Sequence, residues 1–176
     1  FLRVGREPSV PEPQPYWSAQ DVAVNAQDIH NDIDTVDRLS DTLDRAVGAQ
    51  MVADVPLGAF LSGGIDSSSV VAAMQRQSSV PVQTFTIGFS ESAYDESGYA
   101  AEVAEVLGTD HTDLVVSPED AIQVIPELPL IYNEPFADPS QIPTFLLSRM
   151  AREHVTVALS GDGGDELFGG YDRYQQ

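Results

Sequence analysis

Two glycine-rich segments that carry acids hold the chemistry this sequence could perform. The first is Leu61-Ser62-Gly63-Gly64-Ile65-Asp66-Ser67-Ser68. It follows an apolar run and opens a helical pattern. Ser62 offers a hydroxyl, while Gly63 and Gly64 let the backbone approach a ligand and take strained dihedrals. Ser67 and Ser68 fall on the expected first helical turn, where unpaired N–H groups and the positive dipole end point outward. Such a turn holds an anion without a lysine. Asp66 would repel a bare anion, but it fits if Mg²⁺ lies between its carboxylate and phosphate oxygens. The competing reading, a capped turn with glycine for geometry, does not account for the whole octet behind a buried strand.

The second segment is Leu159-Ser160-Gly161-Asp162-Gly163-Gly164-Asp165-Glu166-Leu167-Phe168-Gly169-Gly170-Tyr171. It also follows an apolar run. Three carboxylates between glycines cannot be a core, and their repulsion must be relieved by a cation or by water. A calcium-binding or solvated turn is the alternative, although the spacing lacks the alternate ligands of an EF-hand. A third stretch, Asn133-Glu134-Pro135-Phe136-Ala137-Asp138-Pro139-Ser140, is stiffened by its prolines. Either it presents Asp138 or Ser140 to a site, or Ser140 caps the next helix. His30, His111 and His154 show no metal-ligand spacing and read as structural. There is no G-x-S-x-G elbow, and Asp113 and Glu119 read as surface acids.

These motifs need a frame. Residues 1–27 read as a linker or strap: Pro8, Pro11, Pro13 and Pro15 favour an extended course, with Tyr16 and Trp17 pinning it. Ile33, Val36, Leu39, Leu43 and Val47 recur at helical spacing over residues 30–50, with Asp32, Asp34, Asp37, Asp41 and Asp44 on the other face. Strands are expected at 55–61, 82–89, 111–116 and 155–159. Helices are expected at 67–77, at 97–107 (closed by Gly108), from Ser117-Pro118 to about 131, and at 142–153. This alternation implies an α/β fold, a parallel sheet with helices on both faces. Both glycine-rich segments then fall at the carboxyl ends of strands, where such sheets bind ligands.

Composition narrows the choice. The chain has 176 residues, which suggests one domain. Eight Arg and no Lys stand against 28 Asp plus Glu, a formal charge of −20. No Cys means no disulfide, thiol nucleophile or Cys-ligated zinc. No Lys means no Walker-type phosphate loop and no Schiff base. Such acidity opposes nucleic acid and anionic lipid. No apolar run reaches the roughly 18 residues of a membrane span, and residues 1–10 hold no signal-peptide core, so a cytoplasmic location is expected. The acid excess has two open readings, a genome that favours Arg over Lys and adaptation to high salt.

Residues 62–67 resemble the pyrophosphate loop of N-type ATP pyrophosphatases. That motif is shared with GMP, NAD and argininosuccinate synthetases and with tRNA-modifying enzymes. The 160–171 segment is narrower and resembles glutamine-hydrolysing asparagine synthetases and their β-lactam synthetase relatives. Residues 56–68 and 133–140 are similar to the same family, as is Pro15-Tyr16-Trp17 to its junction between glutaminase and synthetase domains. The resemblance implies an adenine nucleotide alpha hydrolase-like (Rossmann-like) fold. It implies that residues 1–27 are a strap from an absent glutaminase domain, and residues 28–176 the N-terminal part of the synthetase domain, truncated at the C-terminus.

The implied cofactors are ATP and Mg²⁺. The implied reaction is adenylation of the aspartate side-chain carboxylate, with loss of pyrophosphate, for attack by ammonia from glutamine. Ser62, Gly63, Gly64, Asp66 and Ser67 match the pyrophosphate loop, and Leu61 and Ile87 the contacts to adenine and ribose. Ser160 and Gly161 match nucleotide contacts. Asp165 matches a second acid at the metal, beside Asp66, and Asp162 stands where some members carry a proton-accepting Glu. The family supplies a Lys further downstream, so this chain is expected to bind ATP with weak turnover or none. The alternatives are a non-catalytic ATP-binding module and a β-lactam-forming or sugar-modifying relative. The implied partners are small molecules and the glutaminase domain of the same full-length polypeptide, with a homodimer as a candidate assembly and no nucleic acid or membrane.

Overall fold

The structure is a computed structural model that describes residues 13–25, 33–90, 95–135 and 137–174. Pro8, Pro11, His30, Asp32 and Phe136 lie outside the described residues. The chain divides after Leu39. In the first unit, the expected extended strap contains a short helix, α1 (Ala19–Val24), started by Ser18, whose hydroxyl accepts from the Asp21 N–H. The helix begins beyond the last proline of this stretch, Pro15, where the Ser18 cap starts it. Tyr16 and Trp17, expected to pin the strap, are 89% and 62% exposed among the described residues. Helix α2 (Ile33–Gln50) runs across the division.

The second unit is built on four parallel strands, β1 (Leu57–Phe60), β2 (Gln83–Phe89), β3 (Asp110–Val116) and β4 (Val157–Leu159), in the order β3-β2-β1-β4. Gly58 and Ala59 of β1 register with Gln83 and Thr84 of β2 on one side and with Ala158 and Leu159 of β4 on the other. The chain steps outward from β1 to β3 and then returns to the opposite side of β1. That reversal leaves a crevice at the carboxyl ends of β1 and β4, the usual ligand position in such sheets.

Alternation along the strands sends side chains to two helical layers. Ala59 and Leu61 pack with Leu43 and Val47 of α2, Val71 and Met74 of α3 (Ile65–Gln77), and Ala100 and Ala104 of α4 (Ser97–Leu107). The alanines let these helices close onto the sheet. On the other face Phe60, Phe85, Ile87 and Val116 meet Val124 of α5 (Pro118–Val124) and Leu146, Met150 and Ala151 of α7 (Gln141–Ala151). The helix expected from 118 to about 131 is broken into α5, a 3₁₀ turn (Ile125–Glu127) and α6 (Leu128–Tyr132). Pro126 and Pro129 each remove a helical donor, which is the physical reason. No helix among the described residues is long and apolar enough to cross a membrane.

One polar cluster is locked into the sheet. Thr84 Oγ1 lies 2.9 Å from both Thr109 Oγ1 and His111 Nδ1, and His111 Nε2 is buried without a partner. Burial lowers the His111 pKa from 6.5, while Asp113 pulls it upward. The folded chain therefore binds fewer protons here than the unfolded one. The stabilisation is present above pH 6.5 and is lost as pH falls below that value towards and through the lower folded pKa. Urea unfolding should show stability falling as pH drops below 6.5, with a flatter fall in His111→Gln. An unchanged slope would contradict this assignment.

Candidate active site

The first glycine-rich segment leaves β1 and enters α3 two residues earlier than the sequence suggests, so Asp66 and Ser67 both sit in the first turn. Gly64 occupies the cap position and makes no side-chain cap bond. The amides of Ile65, Asp66 and Ser67 have no intrahelical acceptor, as in any first turn. The serines hold the loop closed. Ser62 Oγ lies 2.9 Å from Ser67 Oγ, the Ser62 N–H donates to Ser67 Oγ at 3.2 Å, and the Gly64 N–H donates to Ser62 Oγ at 3.3 Å. Gly63 has φ +81 and faces away from the cleft, where a Cβ would lie 2.8 Å from the backbone of Tyr99 and Ala100.

The second segment leaves β4 and turns through Gly163 (φ +93) into α8 (Gly164–Phe168). It lies against the first. A Cβ on Gly161 would sit 2.7 Å from Ser67 N and 2.9 Å from the Asp66 carbonyl carbon, and a Cβ on Gly164 would collide with the Asp66 carboxylate. Backbone contact requires glycine at 161, while a side chain at 164 would displace the Asp66 carboxylate. Gly170 likewise packs on the Asp165 carboxylate. Ser160 Oγ donates to Asp162 Oδ2 at 3.1 Å. Tyr171 OH donates to Glu166 Oε1 at 2.9 Å, and that bond raises the Tyr171 pKa above its ordinary 10.0. The Arg173 guanidinium lies 4.4 Å from the Tyr171 ring centre.

Between the segments is a cleft of about 690 Å³. Of the residues singled out from sequence, Leu61, Ser62, Asp66, Ser67, Ile87, Ser160, Gly161, Asp162 and Asp165 line it, whereas Gly63 and Gly64 do not. The third stretch also reaches it through Asp138 and Ser140. Ser140 stands at the cap position of α7 but makes no cap bond. Its hydroxyl and N–H instead donate to Asp138 Oδ1 at 2.7 and 2.8 Å, which lowers the Asp138 pKa. Sequence reasoning missed Thr86, Phe89, Glu96 and Thr144 of the lining. Glu96 follows the second strand, and no spacing along the chain marks it. Nor does any mark Thr144, on a helix from the other face.

Six carboxylates line the cleft, Asp66, Glu96, Asp138, Asp162, Asp165 and Glu166, and no Arg or His does among the described residues. No group of three or more His, Asp or Glu among the described residues is placed to hold a metal by itself. That donor set suits Mg²⁺, which keeps its waters and takes one or two carboxylates together with phosphate oxygens.

Sheet order and the paired strand-end loops define an open parallel α/β class whose crevice lies at the carboxyl ends of the strands. Residues 38–176 match the family model described as asparagine synthase, and the chain belongs to that family. It is 40% identical over 141 residues to asparagine synthetase [glutamine-hydrolyzing] 1 of Bacillus subtilis, covering 80% of this chain and 22% of that protein. It is 38% identical over 144 residues to asparagine synthetase [glutamine-hydrolyzing] 3 of Arabidopsis thaliana, covering 74% of this chain and 24% of that one. The chain therefore spans under a quarter of these relatives. An NMN synthetase structure from Francisella tularensis superposes with TM-score 0.53 at 16% identity, over 77% of this chain and 58% of that one, and shows the fold.

The loop contact can be tested without ligand. Gly161→Ala should destabilise the chain by about 1–3 kcal/mol in chemical denaturation, because backbone must shift to admit the methyl. Wild-type stability in that variant would mean the loops are apart.

Proposed function

We propose that this chain is the nucleotide-binding part of an ATP-dependent synthetase of the asparagine synthase type. The observation that carries the reading is the contact of two strand-end loops, which puts the first turn of α3, Asp66 and Asp165 on one cleft. Phosphate oxygens would be held by the free amides of that turn and by Ser62 and Ser67. Asp66 and Asp165 would hold Mg²⁺, which supplies charge neutralisation for the triphosphate and its departing pyrophosphate. Leu61 and Ile87 would carry the adenosine, with Ser160 and Gly161 beside it.

In the reaction, a carboxylate oxygen of the acceptor, aspartate by family, attacks the α-phosphorus. The bond to pyrophosphate breaks and pyrophosphate leaves. Ammonia then attacks the acyl carbon, loses a proton, and AMP departs with the bonding pair. Asp162, held by Ser160, is the candidate proton acceptor, one methylene shorter than Glu. The ammonia would come from glutamine in a glutaminase domain of the same full-length polypeptide, in keeping with the relatives' names. The chain's task in this scheme is positioning and electrostatics.

With ATP, Mg²⁺ and aspartate, the full-length polypeptide that contains this chain should release AMP and pyrophosphate; ADP and phosphate would contradict the reading. Asp66→Asn and Asp165→Asn should each weaken Mg-ATP binding by about tenfold or more, measured calorimetrically, as loss of a charge-assisted contact predicts. Unchanged affinity in both variants would remove the metal assignment.

A further inference from the structure

We infer that Glu96 is the ribose-binding carboxylate of the nucleotide site, an inference that rests on the reading of the cleft just proposed. The other five cleft carboxylates are engaged or confined. Asp138 accepts from Ser140, Asp162 from Ser160 and Glu166 from Tyr171, while Asp66 and Asp165 are packed against glycine backbone. Four of those five belong to the two glycine-rich segments after β1 and β4. Glu96 stands apart, at the entry to α4 after β2, the strand whose Ile87 and Phe89 give the cleft an apolar wall.

The local backbone fixes it there. A Cβ on Gly88 would lie 2.8 Å from Asp95 Oδ1 and 2.9 Å from Ser97 Oγ, so the start of α4 rests directly on the end of β2. Gly63 meets the same helix one turn further on, at Tyr99 and Ala100, without room for a side chain. The beginning of α4 is therefore clasped between the segments that follow β1 and β2. Asp95 takes the capping work: its carboxylate accepts from the Ser97 N–H at 3.1 Å, and the Ser97 bonds hold its pKa low. The Glu96 side chain makes no cap bond.

The chemistry of the ligand matches this placement. With phosphates at the β1–β4 crevice and a base on the apolar wall toward β2, the sugar lies between them, near Glu96. A vicinal diol donates two O–H groups, and an ionised carboxylate accepts both with charge-assisted strength. In dinucleotide-binding doubly wound sheets an acid downstream of the glycine-rich turn makes this same contact to ribose. An acid that merely complements the dipole of α4 would be indifferent to the sugar.

The test is calorimetric binding of Mg-ATP, Mg-2′-deoxyATP and Mg-3′-deoxyATP to the full chain and to Glu96→Gln and Glu96→Ala, with melting curves to confirm folding. The wild type should prefer ATP over each deoxy form by about tenfold. Both variants should lose more for ATP, which loses two bonds, than for either deoxy form, which loses one, so that the three ligands bind nearly alike. Equal wild-type affinity for the three, or a uniform loss in the variants, overturns the role of Glu96 and leaves the site reading standing. Failure of the wild type to bind any of them overturns the site reading and this inference with it.

Discussion

The backbone of Gly161 rests on the backbone of Ser67, with a Cβ-to-nitrogen clearance of 2.7 Å that admits no side chain. Much else depends on that contact. It can form because β1 and β4 are neighbours, registered from Leu57–Val157 to Ala59–Leu159, so their following loops leave the sheet side by side. The sheet order produces that adjacency by returning the chain past β1 after β3. Gly164 then brings the second loop onto the Asp66 carboxylate, at the amide-rich start of α3. The result is a cleft with a positive helix end and fixed acids on one wall.

That cleft is electrostatically lopsided. Six carboxylates face it with no basic side chain among the described residues. Hydroxyl and phenol donors quiet part of the repulsion: Ser140 for Asp138, Ser160 for Asp162 and Tyr171 for Glu166. Each of these bonds also sets a direction, because a carboxylate held by a neighbour no longer samples its rotamers freely. Asp66 and Asp165 are instead confined by glycine contacts, which suits groups whose proposed partner is a cation held jointly with phosphate oxygens. That imbalance suits the proposed ligand, a polyphosphate carried with its own metal.

Most of the frame was legible in the sequence. Apolar runs placed all four strands to within two residues, and Gly108, Ser117 and Pro118 marked helix ends that the structure keeps. Both loops read as site elements because glycine, serine and acid at those spacings have few other uses. What the sequence hid was set by geometry beyond the local window. Pro126 and Pro129 split a helix whose apolar period continues through them. Ser18 starts a helix just after the proline-rich stretch. Ser140 stands at a helix cap yet turns its hydroxyl to Asp138, so it shapes the cleft wall instead of the helix. Gly63, read from the sequence as ligand-facing, also has no room for a side chain against α4. Such roles depend on which elements meet, and spacing along the chain does not report that.

Amide hydrogen exchange on the full chain, with and without Mg²⁺ and ATP, tests the central claim most directly. The account predicts slowed exchange in residues 64–68 and in residues 160–166 together, since one ligand is gripped by both loops at once. Protection confined to one segment, or to neither, would contradict it.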